Sequence, residues 1–243
     1  MTEALRFEVL ESAASKAMKY YIYISDAKVD MLFPQVPHDI KKKVALEFKM
    51  DLKLLSASRK TETETEDNRI ARLETVVDFI RQYGNVGSVD APDEYVADCL
   101  AMRWGNYGTS FEDSPVVYFG GMTDKTIVGL GGSMKHLLGS TVESHAHSHS
   151  ATPFLMEYLV KDLQIRLPDE YEAGLRWARE HGQEFTPIVA VELATTQMHG
   201  PEQKVEFLAK RLAFGPVERF AEHASLQNRN ALLATPIYVA MGD

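Results

Sequence analysis

Three histidines and a glutamate occupy alternate positions in one short segment, and these residue types are common metal ligands. Glu143, His145, His147 and His149 are separated by single small residues. Alternate side chains of an extended segment point to the same side, so the three imidazoles could converge on a divalent metal such as zinc. Glu143 could then act as base on a metal-bound water. The alternatives are a polar loop that enters a helix at Pro153, and an anion site at that helix N-terminus.

A glycine-rich segment follows a predicted strand. Residues 129–136 read GLGGSMKH. Glycines let the backbone turn sharply and present amide groups to an anion, and Ser133 and Lys135 would add a hydroxyl and a positive charge. The segment matches neither of the phosphate-binding patterns GxxxxGK[ST] and GxGxxG. The alternative is that Gly131 and Gly132 serve a bulge or close packing at the end of the strand.

Polar residues also follow the aromatic run at residues 20–24. Ser25, Asp26, Lys28 and Asp30 come directly after it, and ligands of α/β folds bind outside the carboxyl ends of strands. The two aspartates could hold a divalent cation, and the lysine could pair with an anion. Ser25 lacks the flanking glycines of a nucleophile elbow. The alternative is a turn in which Asp26 bonds the nearby backbone and Lys28 neutralises it.

An arginine beside an aromatic residue forms the fourth candidate. Arg103 and Trp104 begin the sequence RWGNYG, and such a pair can hold a planar or anionic ligand by stacking and a bidentate fork. The alternative is an arginine that is paired internally beside a buried tryptophan. Cys99, a few residues earlier, is expected to be a small buried apolar residue.

The elements that position these residues follow from apolar periodicity, propensity and the placement of proline and glycine. Short apolar, β-branched or aromatic runs predict strands over residues 20–24, 51–58, 95–104, 116–120, 126–130 and 232–241. Residues 95–104 could also form a helix, but the sequence RWG at their end favours a strand. Helical spacing, proline starts and glycine stops predict helices over residues 3–17, 38–48, 70–83, 152–165, 168–181, 186–200 and 201–215.

The order of these elements predicts an α+β (mixed α/β) fold. We expect a central mixed sheet of about six strands, with early βαβ units and a helical segment at about 152–215 before a C-terminal strand. Residues 59–68 lack apolar side chains and predict a solvated loop. Ser25 and Asp26 predict a turn. Pro236 predicts that the last strand lies at an edge or carries a bulge.

Composition restricts the class of protein. Of the 243 residues, 45% are apolar and 25% are charged, which is typical of a globular chain, and we expect a single domain over 1–243. The net charge of −9 argues against a nucleic-acid partner, because such proteins usually carry a basic surplus. The single cysteine cannot form an internal disulfide. No secretory leader and no long apolar run is evident, so we expect a cytoplasmic protein with no membrane partner.

Several motifs resemble those of an uncharacterised bacterial family, a domain of unknown function. The motifs are YYIYISDAKVDMLFPQVP, MRWGNYG, VVYFGG, GLGGS, HSHSATP, EFLAKRL and ATPIYVA. The similarity spans roughly residues 18–243. It implies a bacterial cytoplasmic protein that forms one family unit, and it carries over no activity and no catalytic residues.

Three functions remain open from the sequence, and whether the chain is an enzyme is among the open points. The first is a ligand-sensing or interaction module whose pocket, formed by residues 25–30, residues 129–136 and the Arg103–Trp104 pair, would bind a small anionic ligand such as a nucleotide. The second is a metal-dependent hydrolase that uses the histidine cluster. The third is a scaffold whose helical region, residues 152–215, contacts a protein partner or a second copy of the chain.

Overall fold

Seven strands form one sheet that organises the described part of the molecule. The computed structural model describes residues 19–48, 66–107, 115–140, 187–196, 198–217 and 229–242, together with the helical positions 169, 172, 176 and 180. The strands are β1 (Tyr21–Ile24), β2 (Val86–Gly87), β3 (Tyr95–Tyr107), β4 (Val116–Met122), β5 (Thr126–Ser133), β6 (Gln203–Pro216) and β7 (Asn230–Met241). The helices with defined bounds are α1 (Asp26–Leu32), α2 (His38–Glu47), α3 (Glu66–Tyr83) and α4 (Pro187–Thr196), with 3-10 turns at Phe33–Gln35 and Met134–His136.

Five of the strands close into a barrel. The hydrogen-bonded order runs β7–β5–β4–β3–β6 and returns to β7. Every pair in this ring is antiparallel except β5 with β7. Closure leaves none of these five strands as a free edge. β1 adds to β7 in antiparallel orientation, and β2 adds to β3 in parallel orientation.

Two apolar clusters hold the described elements together. One draws residues from all five barrel strands and therefore fills the barrel interior; it includes Met102, Phe119, Leu130, Phe207 and Val239. The other joins α1, α2 and α3 to the opposite faces of β6 and β7, and it includes Phe33, Val44, Val76, Leu208 and Tyr238. Successive residues of β6 and β7 thus serve different clusters, since neighbouring side chains of a strand point to opposite faces.

The mixed α/β class is confirmed, with a seven-stranded sheet instead of the expected six strands. Among the described strands, β1 pairs only with β7, and that pair is antiparallel. The early alternation of strand and helix therefore does not produce a βαβ unit there. The strands predicted at 20–24, 95–104, 116–120 and 126–130, and the helices at 38–48 and 70–83, are confirmed within a few residues.

The helix predicted over 201–215 is wrong, because this segment is strand β6. Val205, Leu208 and Leu212 have helical spacing, which led to the prediction. In the fold, β6 pairs along its length with both β3 and β7. Its first half is covered on both faces, so Phe207 and Leu208 are both fully buried. A strand that is buried on both faces loses the alternation that identifies strands.

Two local predictions also change. Ser25 and Asp26 do not form a turn, because Ser25 precedes α1 and Asp26 is its first residue. β7 is not an edge strand, since β5 pairs with residues 230–234 and β6 pairs along most of its length. Pro236 is accommodated where β6 shifts register between Leu208 and Ala209, so the bulge alternative is the one observed.

Several predictions fall outside the described residues or remain predictions. The helix over 3–17, the strand over 51–58, the helix over 152–165 and most of the predicted loop over 59–68 lie outside them, and α3 already includes residues 66–68. Helical structure is present at 187–196 and at the described positions between 169 and 180. None of the described helices combines the length and the apolar character needed to cross a bilayer. The single-domain organisation stays a prediction.

Candidate functional site

The end of β1 and the end of β5 lie side by side. Leu138 N donates to the Ile22 carbonyl at 2.8 Å, and Leu137 forms a bridge with Tyr23. The Tyr23 ring meets the His136 ring edge-on, with centroids 6.0 Å apart. Tyr23 also occupies the space above Gly132, where a Cβ atom would collide with the tyrosine hydroxyl. The segments predicted to share a pocket, 25–30 and 129–136, therefore meet around the Tyr23 ring.

Ser25 and Lys28 form the polar contact at the end of β1. Ser25 N donates to the Ile237 carbonyl of β7 at 2.8 Å, which fixes the serine at the sheet. The Lys28 Nζ atom lies 3.2 Å from Ser25 Oγ, where it donates a hydrogen bond. Burial raises the pKa of the adjacent Tyr23 hydroxyl, an effect that the Ser25 side chain and the Ser133 backbone partly oppose. Two hydroxyl groups and one amine thus share this corner of the fold.

The Lys28 amine lacks a carboxylate partner within the described part of the chain, where its only hydrogen-bond partner is Ser25. The side chain is largely removed from water, and this desolvation lowers the pKa of Lys28 from 10.5 to about 8. A lysine in such surroundings normally pairs with an acidic group, since an isolated buried charge is costly.

The carboxylates nearest to Lys28 along α1 are ion-paired with arginines of α3. Arg69 donates to both oxygens of Asp26, at 2.8 and 3.2 Å. Arg72 donates to Asp30 at 2.9 Å, which joins the two helices a second time, one turn further along. The helix interface therefore uses the two acidic groups of α1 and leaves the lysine between them without a counter-charge.

His136 adds a third contact to Asp26. Its Nδ1 atom lies 3.5 Å from Asp26 Oδ2. Burial by itself would raise the pKa of Asp26, but the adjacent His136 imidazole and the Arg69 guanidinium outweigh it and lower this pKa to about 2. Asp26 is therefore an anion at neutral and mildly acidic pH. Its role is to connect α1, α3 and the turn after β5.

The proposed cation role of Asp26 and Asp30 does not fit these contacts, because each carboxylate is bound by a guanidinium. Among the described residues, no group of three acidic, histidine or cysteine side chains is arranged to hold a metal ion. The candidate ligands His145, His147 and His149 lie outside the described residues, so the metal site stays a prediction.

The glycine-rich segment is part of a strand, which corrects its interpretation as an anion-cradling loop. Gly131 pairs with Tyr118 and Gly132 pairs with Val117 in the β4–β5 ladder. The glycines make room for aromatic rings, as Gly132 does for Tyr23. Ser133 Oγ accepts a hydrogen bond of 3.4 Å from the Lys135 backbone, and the Lys135 side chain points to solvent as an exposed group. Neither contributes a contact to Lys28.

Arg103 and Trp104 belong to a different part of the barrel surface. Arg103 Nε donates to the Gly200 carbonyl at 3.0 Å, and its guanidinium pairs with Glu202 at 2.8 Å. Trp104 donates to Gln203 at 3.0 Å and is 38% exposed rather than buried. None of these contacts reaches Ser25 or Lys28, so the structure does not bring Arg103 and Trp104 together with the other two segments of the predicted pocket. Cys99 is exposed, and the expectation that it is buried is wrong.

Three residues of the site were not singled out from the sequence as site residues. Tyr23 was assigned only to a strand and Arg72 only to the helix over 70–83, and Arg69 lay between that helix and the predicted loop over 59–68. The spacing of the charged residues could have indicated the ion pairs. Arg69 and Arg72 lie about one turn apart on α3, as Asp26 and Asp30 do on α1. The sequence does not say which helices face each other, and this prevented the pairing from being recognised.

Two further polar features lie outside this corner. Glu206 accepts hydrogen bonds from Lys19 at 2.8 Å, from Arg81 at 3.3 Å and from the Tyr238 hydroxyl. Burial would raise the pKa of Glu206, but the contacts with Lys19 and Tyr238 outweigh it and lower this pKa.

An open cleft of about 320 Å³ lies between α2 and α3, and Lys43 and Arg81 are in its wall. Lys43 is ion-paired with Glu47, and Arg81 is ion-paired with Glu206. Asp78 also lines this cleft, and its carboxylate disfavours an anion there. Neither feature therefore offers an unpaired positive charge to an anionic ligand.

Glu192 is the one acidic side chain of α4 and is 4% exposed. Its Oε2 atom contacts no hydrogen-bond donor among the described residues. Desolvation raises the pKa of Glu192 to about 7. The remainder of α4 is apolar or small, and it packs on β4, β5, β6 and β7. Glu192 is therefore neutral in a large fraction of molecules at physiological pH.

The comparisons with known proteins identify a family but no activity. The search of curated proteins and the search of solved structures gave no match. The model of a family of unknown function, DUF7019, matches residues 19–243. The chain belongs to this family.

Proposed function

We propose that this member of the family DUF7019 is a ligand-sensing or interaction module that binds a small anionic ligand at Lys28 and Ser25. The observation that carries the proposal is the half-buried Lys28 side chain, whose amine has a serine hydroxyl as its one partner among the described residues. A negatively charged group that reached Nζ would supply the missing counter-charge. The proposal extends to carboxylates, inorganic phosphate and the phosphate of a nucleotide.

The surroundings favour an anion over a second structural role for the lysine. An ammonium that is removed from water without a counter-ion destabilises the fold, and the two acidic groups of α1 are already bound by arginines. An anion in contact with Nζ would raise the pKa of Lys28 again, since a nearby opposite charge favours the charged form. Ser25 Oγ, which is itself buried, would hold the ammonium in place for the ligand through the hydrogen bond that it accepts from Nζ.

Isothermal titration calorimetry on the full chain tests the proposal. The probes are inorganic phosphate, acetate and a nucleoside monophosphate, each in a buffer free of other oxyanions. We expect saturable binding of at least one probe, binding at least about tenfold weaker in Lys28→Met, and a smaller loss in Ser25→Ala. Arg103→Ala is the matched control, because this arginine is also a cation of the sequence-predicted pocket but is bound to Glu202. It should bind the same probe as the wild type does.

Two results would overturn the proposal. One is the absence of binding for every probe. The other is binding that is equally strong in the wild type and in Lys28→Met, because the ligand would then lie elsewhere. Circular dichroism of each variant at the titration temperature establishes that the proteins being compared are folded.

A further inference from the structure

Lys28 differs chemically from the paired lysines of the described chain. Lys19 pairs with Glu206 at 2.8 Å, Lys43 lies 3.9 Å from Glu47, and Lys210 pairs with Glu94. A carboxylate at this distance stabilises the ammonium form, which has no lone pair to react with. Lys28 has a hydroxyl neighbour at 3.2 Å in place of a carboxylate, and its side chain is partly accessible whereas Ser25 is 1% exposed. Of the two residues, Lys28 is therefore the more accessible one.

We propose that Lys28 is a nucleophilic amine that captures a small aldehyde or ketone as an imine. This inference rests on the site of the proposed function, but it uses the neutral amine where anion binding uses the ammonium. Lysines that have been desolvated in this way serve as Schiff-base nucleophiles in proteins. Small carbonyl compounds are thus a second class of ligand for the same corner of the fold.

The chemistry balances without a further reactant. The Nζ lone pair forms a bond to the carbonyl carbon, and the carbonyl π electrons move to oxygen, which accepts a proton and gives a carbinolamine. Loss of the nitrogen proton and cleavage of the carbon–oxygen bond then release one water and leave the imine. The Ser25 hydroxyl, which accepts a hydrogen bond from Nζ, is placed to pass a proton between nitrogen and oxygen. Water reverses the reaction.

The acid–base state of Lys28 supports the same conclusion. With a pKa of about 8, about a quarter of the amine is neutral at pH 7.5, against about 0.1% for a lysine with the usual pKa near 10.4. The larger neutral fraction does not translate fully into a faster reaction. A weaker base is a weaker nucleophile, and a reagent has less access to Lys28 than to an exposed lysine. We therefore expect a rate advantage of about tenfold over an exposed lysine.

Competitive labelling of the full-length wild-type chain tests the inference without any variant. The probe is acetaldehyde at a limiting concentration, with the neutral reductant dimethylamine–borane to trap the imine as an N-ethyl group. Peptide mass spectrometry then gives the rate at each lysine. Lys28 should be labelled about ten times faster than the exposed Lys135 at pH 7.5, and its rate should level off above pH 8. Labelling of Lys28 that is no faster than that of Lys135 would overturn the inference.

Two additions separate this inference from the proposed function. Ser25→Ala should slow the labelling of Lys28 and leave that of Lys135 unchanged; equal rates at Lys28 in both proteins would contradict the role of the hydroxyl. Phosphate at saturating concentration should protect Lys28. Fast labelling with neither protection nor calorimetric binding would leave the imine chemistry standing and overturn anion binding. Calorimetric binding with slow labelling of Lys28 would support anion binding and overturn the imine chemistry.

Discussion

The unpaired ammonium of Lys28 predicts that its removal stabilises the protein in the absence of ligand. In Lys28→Met, the side chain keeps its length and its apolar stem but loses the charge. The pKa of Lys28 is lowered from 10.5 to about 8, and each pKa unit corresponds to about 1.4 kcal/mol of differential interaction, so the charged form costs the folded state about 3 kcal/mol. Loss of the Ser25 hydrogen bond removes about 1 kcal/mol of this gain. The expected net stabilisation at pH 7 is about 2 kcal/mol.

The effect has a defined pH dependence. Because the folded-state pKa is lower than the unfolded one, the unfolded chain binds more protons between about pH 8 and 10.5. The stability of the wild type therefore rises, relative to that of Lys28→Met, as the pH increases through this window. Below pH 8 the destabilisation by the charge is fully present, and the difference between the two proteins should be constant.

Urea denaturation at pH 7 and at pH 10, in buffers free of phosphate and carboxylates, measures this difference. Lys135→Met is the matched control, because Lys135 is exposed, and surface substitutions of this kind usually change stability by less than about 0.5 kcal/mol. If Lys28→Met were instead destabilised at pH 7 by more than about 1 kcal/mol, the lysine would be making a stabilising contact. The interpretation of Lys28 as an uncompensated charge would then be wrong.

Three further predictions concern the groups around the site and α4. Burial raises the pKa of Glu192 to about 7, so the wild type should lose stability as the pH rises from about 4.5 to 7. Urea denaturation of Glu192→Gln should show no such dependence of stability on pH. An unchanged dependence would contradict the burial of an unpaired carboxyl. Asp26→Asn should lower the free energy of unfolding by about 2 kcal/mol at pH 7, because the pKa of Asp26 is lowered to about 2. This stabilisation is present above about pH 4 and is lost as the pH falls through 2. Thermal unfolding should therefore show a difference between wild type and variant at pH 7 but not at pH 2. Gly132→Ala should destabilise the chain by about 1–3 kcal/mol, because the added methyl group overlaps the Tyr23 hydroxyl. In a double-mutant cycle, Tyr23→Phe should recover part of this lost stability. Additive effects of the two substitutions would refute the contact.

The fold could be predicted where the local pattern is sufficient. The aromatic run of β1 and the apolar spacing of α3 carry their own signal, as does the β4–β5 hairpin with its turn at Thr123. Strand β6 could not be identified because the consecutive residues Phe207, Leu208 and Ala209 are all apolar and buried, which breaks the alternation typical of a strand. Closure of the barrel depends on pairing β6 with β3, about a hundred residues earlier in the chain, and no local feature encodes such a partner.

The candidate site could be predicted only in part, because its local segments carry a signal but the contacts between its elements do not. Polar residues at the ends of β1 and β5 were expected to meet, and the contacts around Tyr23 and His136 bring these two ends together. The error was to add Arg103 and Trp104, because β3 continues to Tyr107 and both residues lie inside it, where they contact Gly200, Glu202 and Gln203. The sequence also could not distinguish a paired aspartate from a free one, which requires knowing that α1 lies against α3.

A direct measurement of the Lys28 pKa provides the sharpest test of the account. With lysine labelled by ¹³C at Cε, nuclear magnetic resonance spectra from pH 6 to 11 report the ionisation of each amine, and Lys28→Arg assigns the signal by its loss. The account predicts a pKa of about 8 for Lys28 in oxyanion-free buffer and an increase of this pKa when inorganic phosphate or acetate is added. A pKa near 10.5 in the absence of ligand, or one that no anion changes, would contradict the account.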